Sequence, residues 1–224
     1  MLPAFTLALR GPKVTEVKGI PAAVLLHVDD AATRQRTIGS GCLIAPRMVL
    51  TAAHCVDAEG VIEIIAPYAK DGAKSVEVEK IVRHPRYRRG EFDHDCALLW
   101  LKEPITIEGD FPTLHRGNLL RIETALTVVG RVREGKASTD RLFMAPVTLV
   151  AFPDNLNLYG GFPQTVQHGD SGGPIFIEGK PEVIVALTTG FLEFNRRNVK
   201  TDGYLPISTK LREWIIEQQR MLMR

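Results

Sequence analysis

Short runs of apolar or alternating apolar and polar residues, separated by turn residues, follow one another along most of this 224-residue chain. Such runs are typical of β-strands, and their spacing is typical of β-sandwiches and barrels. From Ser208 onward, apolar residues instead recur at three- and four-residue steps, which predicts a helix. The pattern therefore predicts an all-β fold that ends in one α-helix. The predicted strands are 22–28, 41–45, 61–66, 76–82, 96–101, 125–130, 143–152, 174–177 and 183–189.

Charge and composition exclude several classes of function. The chain carries 28 Lys plus Arg against 26 Asp plus Glu, a net charge of +2, which offers no electrostatic basis for binding nucleic acid or an anionic membrane. A bilayer span needs about 20 consecutive apolar residues, and no stretch of the sequence approaches this. We therefore expect no nucleic acid partner and no membrane association. The opening MLPAFTLALRG has a short apolar stretch without a preceding basic region, which makes it a weak candidate for a secretory leader.

The best candidate for a domain boundary is the stretch 102–121. It has no sustained periodicity, and it contains Pro104, Gly109, Pro112 and Gly117. It also divides the predicted strands into two comparable sets. We predict an N-terminal segment 1–19, a first β unit 20–110, a second β unit 111–207 and a helix 208–224.

Three short segments together carry most of the chemical information. They are GSGCLIAPRMVLTAAHC at 39–55, DHDCALLWL at 93–101 and QHGDSGGP at 167–174. In this order they resemble the chymotrypsin-like (trypsin-like) serine peptidases, and the resemblance runs from about residue 19 to the end of the chain. It implies two six-stranded antiparallel Greek-key β-barrels followed by the C-terminal helix.

The resemblance assigns His54 as general base, Asp95 as the carboxylate that orients it, and Ser171 as nucleophile. A serine hydroxyl is a poor nucleophile until an imidazole accepts its proton, and the imidazole needs a carboxylate to hold its tautomer. Asp93 is the alternative carboxylate, but the family's apolar strand begins directly after the aspartate, which favours Asp95. Gly169 and Ser171 would supply the two N–H groups of the oxyanion hole. The first barrel would carry His54 and Asp95, and the second Ser171.

The resemblance therefore implies a serine endopeptidase that acts on protein or peptide substrates through an acyl-enzyme, with no cofactor and no metal. The alternative is a catalytically silent, protease-like module that only binds protein, because a fold can outlast its activity. No triad residue is replaced and the GDSGGP loop is intact, which favours the enzyme. The resemblance is compatible with a monomer and with a dedicated partner protein.

The chain departs from the family at its N-terminal side. Activated digestive members begin with I-V-G-G, and their terminal ammonium pairs with the aspartate before the serine, whereas this chain has KGIPAAV at 18–24. Asp170 is nevertheless present, and a buried carboxylate without a partner is costly. We expect Arg131 to supply the replacing cation, as an arginine from a similar region does in some bacterial relatives. Activity would then need no zymogen cleavage.

The residues that would contact substrate rest on the resemblance alone. Thr165 lies at the base of the specificity pocket, where trypsin has the aspartate that selects Arg and Lys, so trypsin-like specificity is not expected. Ala186, Leu187 and Thr188 match the strand that pairs with the substrate backbone, and Thr188 takes the place of a glycine at the pocket mouth. A β-branched residue there predicts small or medium uncharged P1 residues. Two further predicted substrate contacts are His168 and Gly203.

The three cysteines, Cys42, Cys55 and Cys96, are too few for a disulfide scaffold. Cys55 falls where the family has one half of a disulfide, but Gly39 occupies the usual partner position. Cys42 lies three residues further along the strand, and an odd offset turns its side chain to the opposite face. We expect three free thiols. This indicates a reducing compartment and a cytoplasmic enzyme, and the alternative is a secreted or periplasmic one.

Overall fold

The computed structural model describes residues 13–91, 93–117, 120–133, 135–150, 158–160, 166–194 and 199–223. Within these residues most of the chain is extended. The strands are β1 (Thr15–Glu16), β2 (Ala23–Asp30), β3 (Arg36–Ala45), β4 (Met48–Thr51), β5 (Gly60–Ala66), β6 (Lys74–Arg83), β7 (Ala97–Leu101), β8 (Thr113–Leu114), β9 (Ala125–Gly130), β10 (Val132–Arg133), β11 (Lys136–Ala137), β12 (Phe143–Thr148), β13 (Leu158–Gly160), β14 (Pro174–Ile177), β15 (Lys180–Phe194) and β16 (Val199–Pro206). A 3₁₀ turn spans Ala53–Val56, and α1 spans Thr209–Leu222.

The first half of the chain forms a closed barrel. Its strands follow the order β2, β3, β4, β7, β6 and β5, and β5 pairs back onto β2. Each pairing is antiparallel. Closure leaves this sheet without an open edge, and the apolar side chains of β2, β4 and β7 fill the interior. All six strands lie within the predicted unit 20–110.

The second half forms one larger, mostly antiparallel sheet. Its strand order is β1, β12, β9, β14, β15, β16 and β13, and β8 adds to β15 in parallel. The sheet therefore has eight strands in the described part, where we expected six. The two extra strands are short. β1 belongs to the predicted N-terminal segment and pairs Thr15 with Met144, while β8 lies in the stretch 102–121 that is predicted as the domain boundary.

α1 confirms the helix that the periodicity of the C-terminal residues predicted. Ser208 is its N-cap, with the hydroxyl accepting the N–H of Leu211 at 3.2 Å. Leu211 and Ile215 are buried, so the apolar stripe packs on the protein body. No helix in the described ranges is both long and apolar enough to cross a bilayer.

Contacts between the two halves hold the Ser171 loop against the first barrel. The N–H of Ser40, on β3, donates to the carbonyl of Ser171 at 2.8 Å, and its hydroxyl donates to the carbonyl of Gly169 at 2.8 Å. Thr51, on β4, donates its hydroxyl to the carbonyl of Ser40 at 2.8 Å. Residues from both halves therefore meet around this loop, which lies just before β14.

Candidate active site

His54 and Asp95 are joined by two hydrogen bonds. The ring Nδ1 of His54 lies 2.6 Å from Asp95 Oδ2, and the backbone N–H of His54 donates to Oδ1 at 2.9 Å. His54 lies in the 3₁₀ turn after β4, and Asp95 lies two residues before β7, the strand that pairs with β4. Both carboxylate oxygens are thus occupied by one histidine, which holds the imidazole with Nδ1 toward Asp95 and Nε2 away from it.

Ser171 lies close to this pair, with Cys55 between them. Cys55 Sγ is 3.7 Å from His54 Nε2 and donates to the carbonyl of Ser171 at 3.4 Å. Among the described residues, no hydrogen bond joins Ser171 Oγ to His54 Nε2. Catalytic hydrogen bonds are often long before substrate binds and shorten in the complex.

Burial and the neighbouring groups shift the pKa of His54 in opposite directions. Burial by itself lowers the pKa of His54, but the hydrogen bond that its ring donates to Asp95 and the contact with Cys55 outweigh it, and the net pKa is raised. Asp95 is only 2% exposed at its side chain. A carboxylate placed in this way stabilises an imidazolium that forms during a reaction.

The loop before β14 leaves two backbone donors uncommitted. Gly169 has φ +107°, a conformation that a residue with a side chain rarely adopts. The N–H of Asp170 donates to Gln167, and that of Gly172 donates to Thr188. The N–H groups of Gly169 and Ser171 make no hydrogen bond to any described residue.

Asp170 is fully buried and is held by backbone donors. The N–H of Val132 reaches Oδ1 and that of Gln167 reaches Oδ2, each at 2.9 Å, and the backbone of Arg131 adds a third hydrogen bond. Burial raises the pKa of Asp170 to about 7, against these hydrogen bonds and the charge of Arg131. Gly130 makes room for the carboxylate, since a Cβ there would overlap it.

The prediction that Arg131 forms an ion pair with Asp170 is wrong. Within the described residues, no salt bridge of 4 Å or less joins them. The guanidinium points instead to the first barrel and to Ser138, and it donates to carbonyl oxygens there. Arg131 supports Asp170 through its backbone and through charge at longer range, because the side chain extends away from the carboxylate.

Three of the predicted substrate contacts are wrong. Ala186, Leu187 and Thr188 are fully buried. Ala186 and Leu187 pair with β14 on one side and with β16 on the other, and the backbone of Thr188 is bonded to Gly172 and Gly173. A substrate cannot add to a segment whose two edges are occupied. The sequence comparison did not reveal this, because a short apolar run can be aligned with the family's substrate-pairing strand in several registers.

The other predicted contacts have different positions. His168 is exposed next to the Ser171 loop, and Gly203 is buried on β16, where its carbonyl accepts the hydroxyl of Thr189 at 3.0 Å. Thr165 lies outside the described residues. Gly169 and Asp170 belong to the loop that carries Ser171, and the backbone of Arg131 bonds to Asp170.

Thr189 is a residue that the sequence reasoning missed. A cleft of about 370 Å³ is lined by His54, Asp95 and Thr189, together with Asp57, Arg89, Gly90 and Glu91. Thr189 follows the last residues of β15 that are paired on both sides, so it lies one residue beyond the predicted segment 186–188. The two consecutive threonines in ALTTG could have indicated this alternative register.

All three cysteines are free, as expected. Cys42 and Cys96 are buried, and burial raises the pKa of both thiols. Cys55 is partly exposed beside His54. A Cβ on Gly39 would contact Cys55 Sγ at 3.1 Å, which shows that Gly39 indeed occupies the place opposite this thiol.

Comparison with known proteins decides the family. The family model described as Trypsin matches residues 19–215, most of the chain. The chain belongs to the trypsin family. As a member it is a serine endopeptidase, a hydrolase whose substrates are proteins or peptides.

Individual relatives in this family are distant in sequence. Mouse (Mus musculus) chymase is 28% identical over 197 residues, which are 79% of this chain and 76% of the chymase. A trypsin from Simulium vittatum is 26% identical over 211 residues, 83% of this chain and 84% of that trypsin. The solved structure of HL collagenase matches with a TM-score of 0.75 at 20% identity, covering 89% of this chain and 94% of the collagenase. This last likeness confirms the chymotrypsin-like fold.

Proposed function

We propose that this trypsin-family member hydrolyses peptide bonds through an acyl-enzyme formed on Ser171. Ser171 Oγ attacks the carbonyl carbon of the scissile bond while His54 Nε2 takes the hydroxyl proton. The tetrahedral intermediate collapses, the C–N bond breaks, and His54 returns the proton to the leaving amine. A water molecule then attacks the acyl carbonyl carbon while His54 takes its proton. The ester bond to Ser171 breaks, His54 returns the proton to Ser171 Oγ, and the acid is released. The observation that carries this proposal is the 2.6 Å contact of Asp95 with His54 Nδ1, which turns Nε2 away from the carboxylate.

The proposed oxyanion hole consists of the N–H groups of Gly169 and Ser171. Its support is that neither group is bonded to another described residue, although the N–H of the intervening Asp170 is bonded to Gln167. Donors already oriented toward the developing charge need no rearrangement during reaction, and one such donor contributes about 3 kcal/mol to the transition state.

We further propose that the protein is active without zymogen cleavage. In this chain the carboxylate of Asp170 already has backbone donors from Val132, Gln167 and Arg131. A new N-terminal ammonium is therefore not needed to satisfy it. The loop that carries Ser171 is held by bonds that exist in the uncleaved chain.

Two finer proposals concern substrate and location. The preference for small or medium uncharged P1 residues no longer has the support of Thr188, which is buried, and rests on the absence of an aspartate at Thr165. The edge of β15 from Thr189 onward replaces 186–188 as the candidate for pairing with the substrate backbone, because it lies beyond the pairing with β14. Trypsin-like relatives are mostly secreted or granule proteases, which supports a secreted or periplasmic location over the cytoplasmic one.

Labelling with a fluorophosphonate probe tests the proposed mechanism. The uncleaved protein is expected to react at one site, and Ser171→Ala is expected to abolish the reaction, because an unactivated hydroxyl does not attack phosphorus at a useful rate. Mass spectrometry of the intact adduct shows that the N-terminus was uncleaved. A protein that stays unlabelled in full length but is labelled after cleavage near Gly19 would contradict zymogen independence. Failure to label in both forms would favour the catalytically silent module.

A set of peptide substrates differing only at P1 tests the proposed preference. We expect kcat/KM for Ala and Val to exceed that for Arg and Lys by at least about tenfold, since a difference of about 1.4 kcal/mol in pocket contacts suffices. Ser171→Ala measured on the same set controls for a contaminating protease. Higher kcat/KM for Arg or Lys would refute the preference and leave the proposed mechanism intact.

A further inference from the structure

The side chain of Arg131 is buried between the two halves of the protein, and its hydrogen bonds reach across them. Nη1 donates to the carbonyls of Leu26 on β2, at 2.9 Å, and Gly39 on β3, at 3.3 Å. Nε donates to the carbonyl of Ser138 at 2.8 Å, and Nη2 also donates to it. A buried guanidinium needs an acceptor for each of its N–H groups, because an unpaired one keeps the cost of losing water.

His27 supplies an acceptor for the remaining side of the guanidinium. Its Nε2 lies 2.9 Å from Arg131 Nη2, and the residue is only 4% exposed. Because arginine can only donate, Nε2 must be unprotonated, and the ring must be neutral with its proton on Nδ1. Nδ1 is buried without a hydrogen bond among the described residues, 3.7 Å from Glu63 Oε2 on the neighbouring strand β5.

We propose that His27 is a positioning residue for the peptidase reaction. As a neutral hydrogen-bond acceptor, His27 orients the side chain of Arg131. Arg131 in turn holds in place the corner between β9 and β10, which supports the loop that carries Gly169 and Ser171. This inference rests on the proposed function of Ser171. His27 does not touch the substrate or the reacting atoms.

The connection from Arg131 to the loop is short. The backbone of Arg131 and the N–H of Val132 both bond to the carboxylate of Asp170, which lies between Gly169 and Ser171. The Cδ atom of Arg131 also lies 3.4 Å from the position that a Cβ on Gly169 would take. If the guanidinium loses an acceptor and rotates, the backbone corner that anchors Asp170 moves with it. The two proposed oxyanion donors are the residues on either side of that anchor.

The charges around His27 oppose its protonation. Burial lowers its pKa, and the nearby charges of Arg131 and Arg36 lower it further, against smaller opposite effects of Glu63 and Asp29. A proton on Nε2 would remove the acceptor and place a second cation 2.9 Å from Nη2. In the unfolded chain His27 titrates near pH 6.5. Below this pH the unfolded state therefore binds a proton that the folded state resists, and stability falls as the pH is lowered.

Two substitutions separate the acceptor from the rest of the side chain. His27→Gln keeps a neutral acceptor of similar reach, whereas His27→Leu keeps bulk without an acceptor. We expect His27→Leu to lower kcat about 10- to 100-fold with little change in KM, because misplacement of a reacting group by about 1 Å has an effect of this size. His27→Gln should stay within about threefold of the unaltered protein, and Glu63→Gln, which leaves the Arg131 contact intact, should do the same.

The measurement is the rate of fluorophosphonate labelling together with kcat and KM at pH 8, each at a temperature where unfolding curves show a folded protein. Loss of kcat in His27→Leu and its recovery in His27→Gln support the proposal. A folded His27→Leu with unaltered kcat, or a His27→Gln as impaired as His27→Leu, overturns it. If His27→Leu does not fold, His27→Asn takes its place, since its acceptor is too short to reach Nη2, and unaltered kcat there again overturns the proposal.

Urea unfolding between pH 5 and 7 gives a second readout. We expect the unfolding equilibrium constant to gain a contribution of up to tenfold per pH unit below pH 6.5 that is missing in His27→Gln. Equal pH dependence of the two proteins overturns the neutral state assigned to His27. Absence of any labelling in the unaltered protein would reject the proposed function instead, and labelling of the unaltered protein and His27→Leu at equal rates would reject only the role of His27.

Discussion

Replacing Asp95 by Asn is expected to reduce kcat by about 10⁴-fold at neutral pH while the fold stays intact. This is the size of the loss when the orienting aspartate of a chymotrypsin-like serine protease is replaced by Asn. Asp95 accepts the backbone N–H of His54 at Oδ1 and faces Nδ1 at Oδ2. Asparagine can keep the first contact, but its amide then presents N–H groups to Nδ1. The imidazole must place its proton on Nε2, and it can no longer accept the proton of Ser171.

Asp93 offers a matched control for this substitution. It lies two residues away, and it was the alternative carboxylate in the sequence. Asp93→Asn is expected to leave kcat within about threefold, as for most substitutions outside a catalytic contact. Steady-state kinetics and the rate of fluorophosphonate labelling should agree for both variants. A large loss in Asp93→Asn with an active Asp95→Asn would reverse the assignment of the orienting carboxylate.

Replacing Gly130 by Ala is expected to have the second largest effect, on stability and activity together. A Cβ at this position would overlap Asp170 Oδ1 and lie 2.5 Å from its Cγ. The carboxylate would have to move and give up the N–H groups of Val132 and Gln167. We expect the free energy of unfolding to fall by about 3 kcal/mol, the upper part of the usual range for overpacking. Displacement of the adjacent loop should lower kcat about 100-fold.

Gly109 provides the comparison for Gly130. It has φ +78°, and a Cβ there would meet nothing within 4 Å. Gly109→Ala therefore carries only the backbone strain of a positive φ, about 1 kcal/mol, and should leave kcat unchanged. Thermal and urea unfolding combined with kinetics measure both effects. A Gly130→Ala protein as stable and active as Gly109→Ala would mean that the Asp170 pocket is not as tightly packed as described.

The strand content and the C-terminal helix could be predicted because they depend on local patterns. Alternating runs such as 61–66 and 76–82 bury one face, and the cap at Ser208 needs only residues within the same turn. The strand count of the second sheet could not be predicted in the same way. β1 and β8 are two residues each, and strands this short have no periodicity, so they are defined only by their partners in space.

The candidate active site could likewise be predicted only in part from the sequence. The segments around His54, Asp95 and Ser171 are recognisable one by one, because their chemistry requires particular residue types in a fixed local order. The register of β15 was misplaced at Thr188, since an apolar run does not reveal which of its residues are paired on both edges. That Thr189 lines the same cleft as His54 was missed for the same reason.

By itself the sequence determined the all-β class, the terminal helix, the family and the residues proposed for catalysis. The tertiary structure alone decided what surrounds them: Arg131 bonds to His27 and to carbonyls of the first barrel, and Asp170 is held by backbone N–H groups. The first-barrel partners of Arg131 lie about a hundred residues away in the chain, and they are set by how the two halves pack. Buried polar groups take whichever acceptors that packing brings within about 3 Å, and no local pattern in the chain encodes the choice.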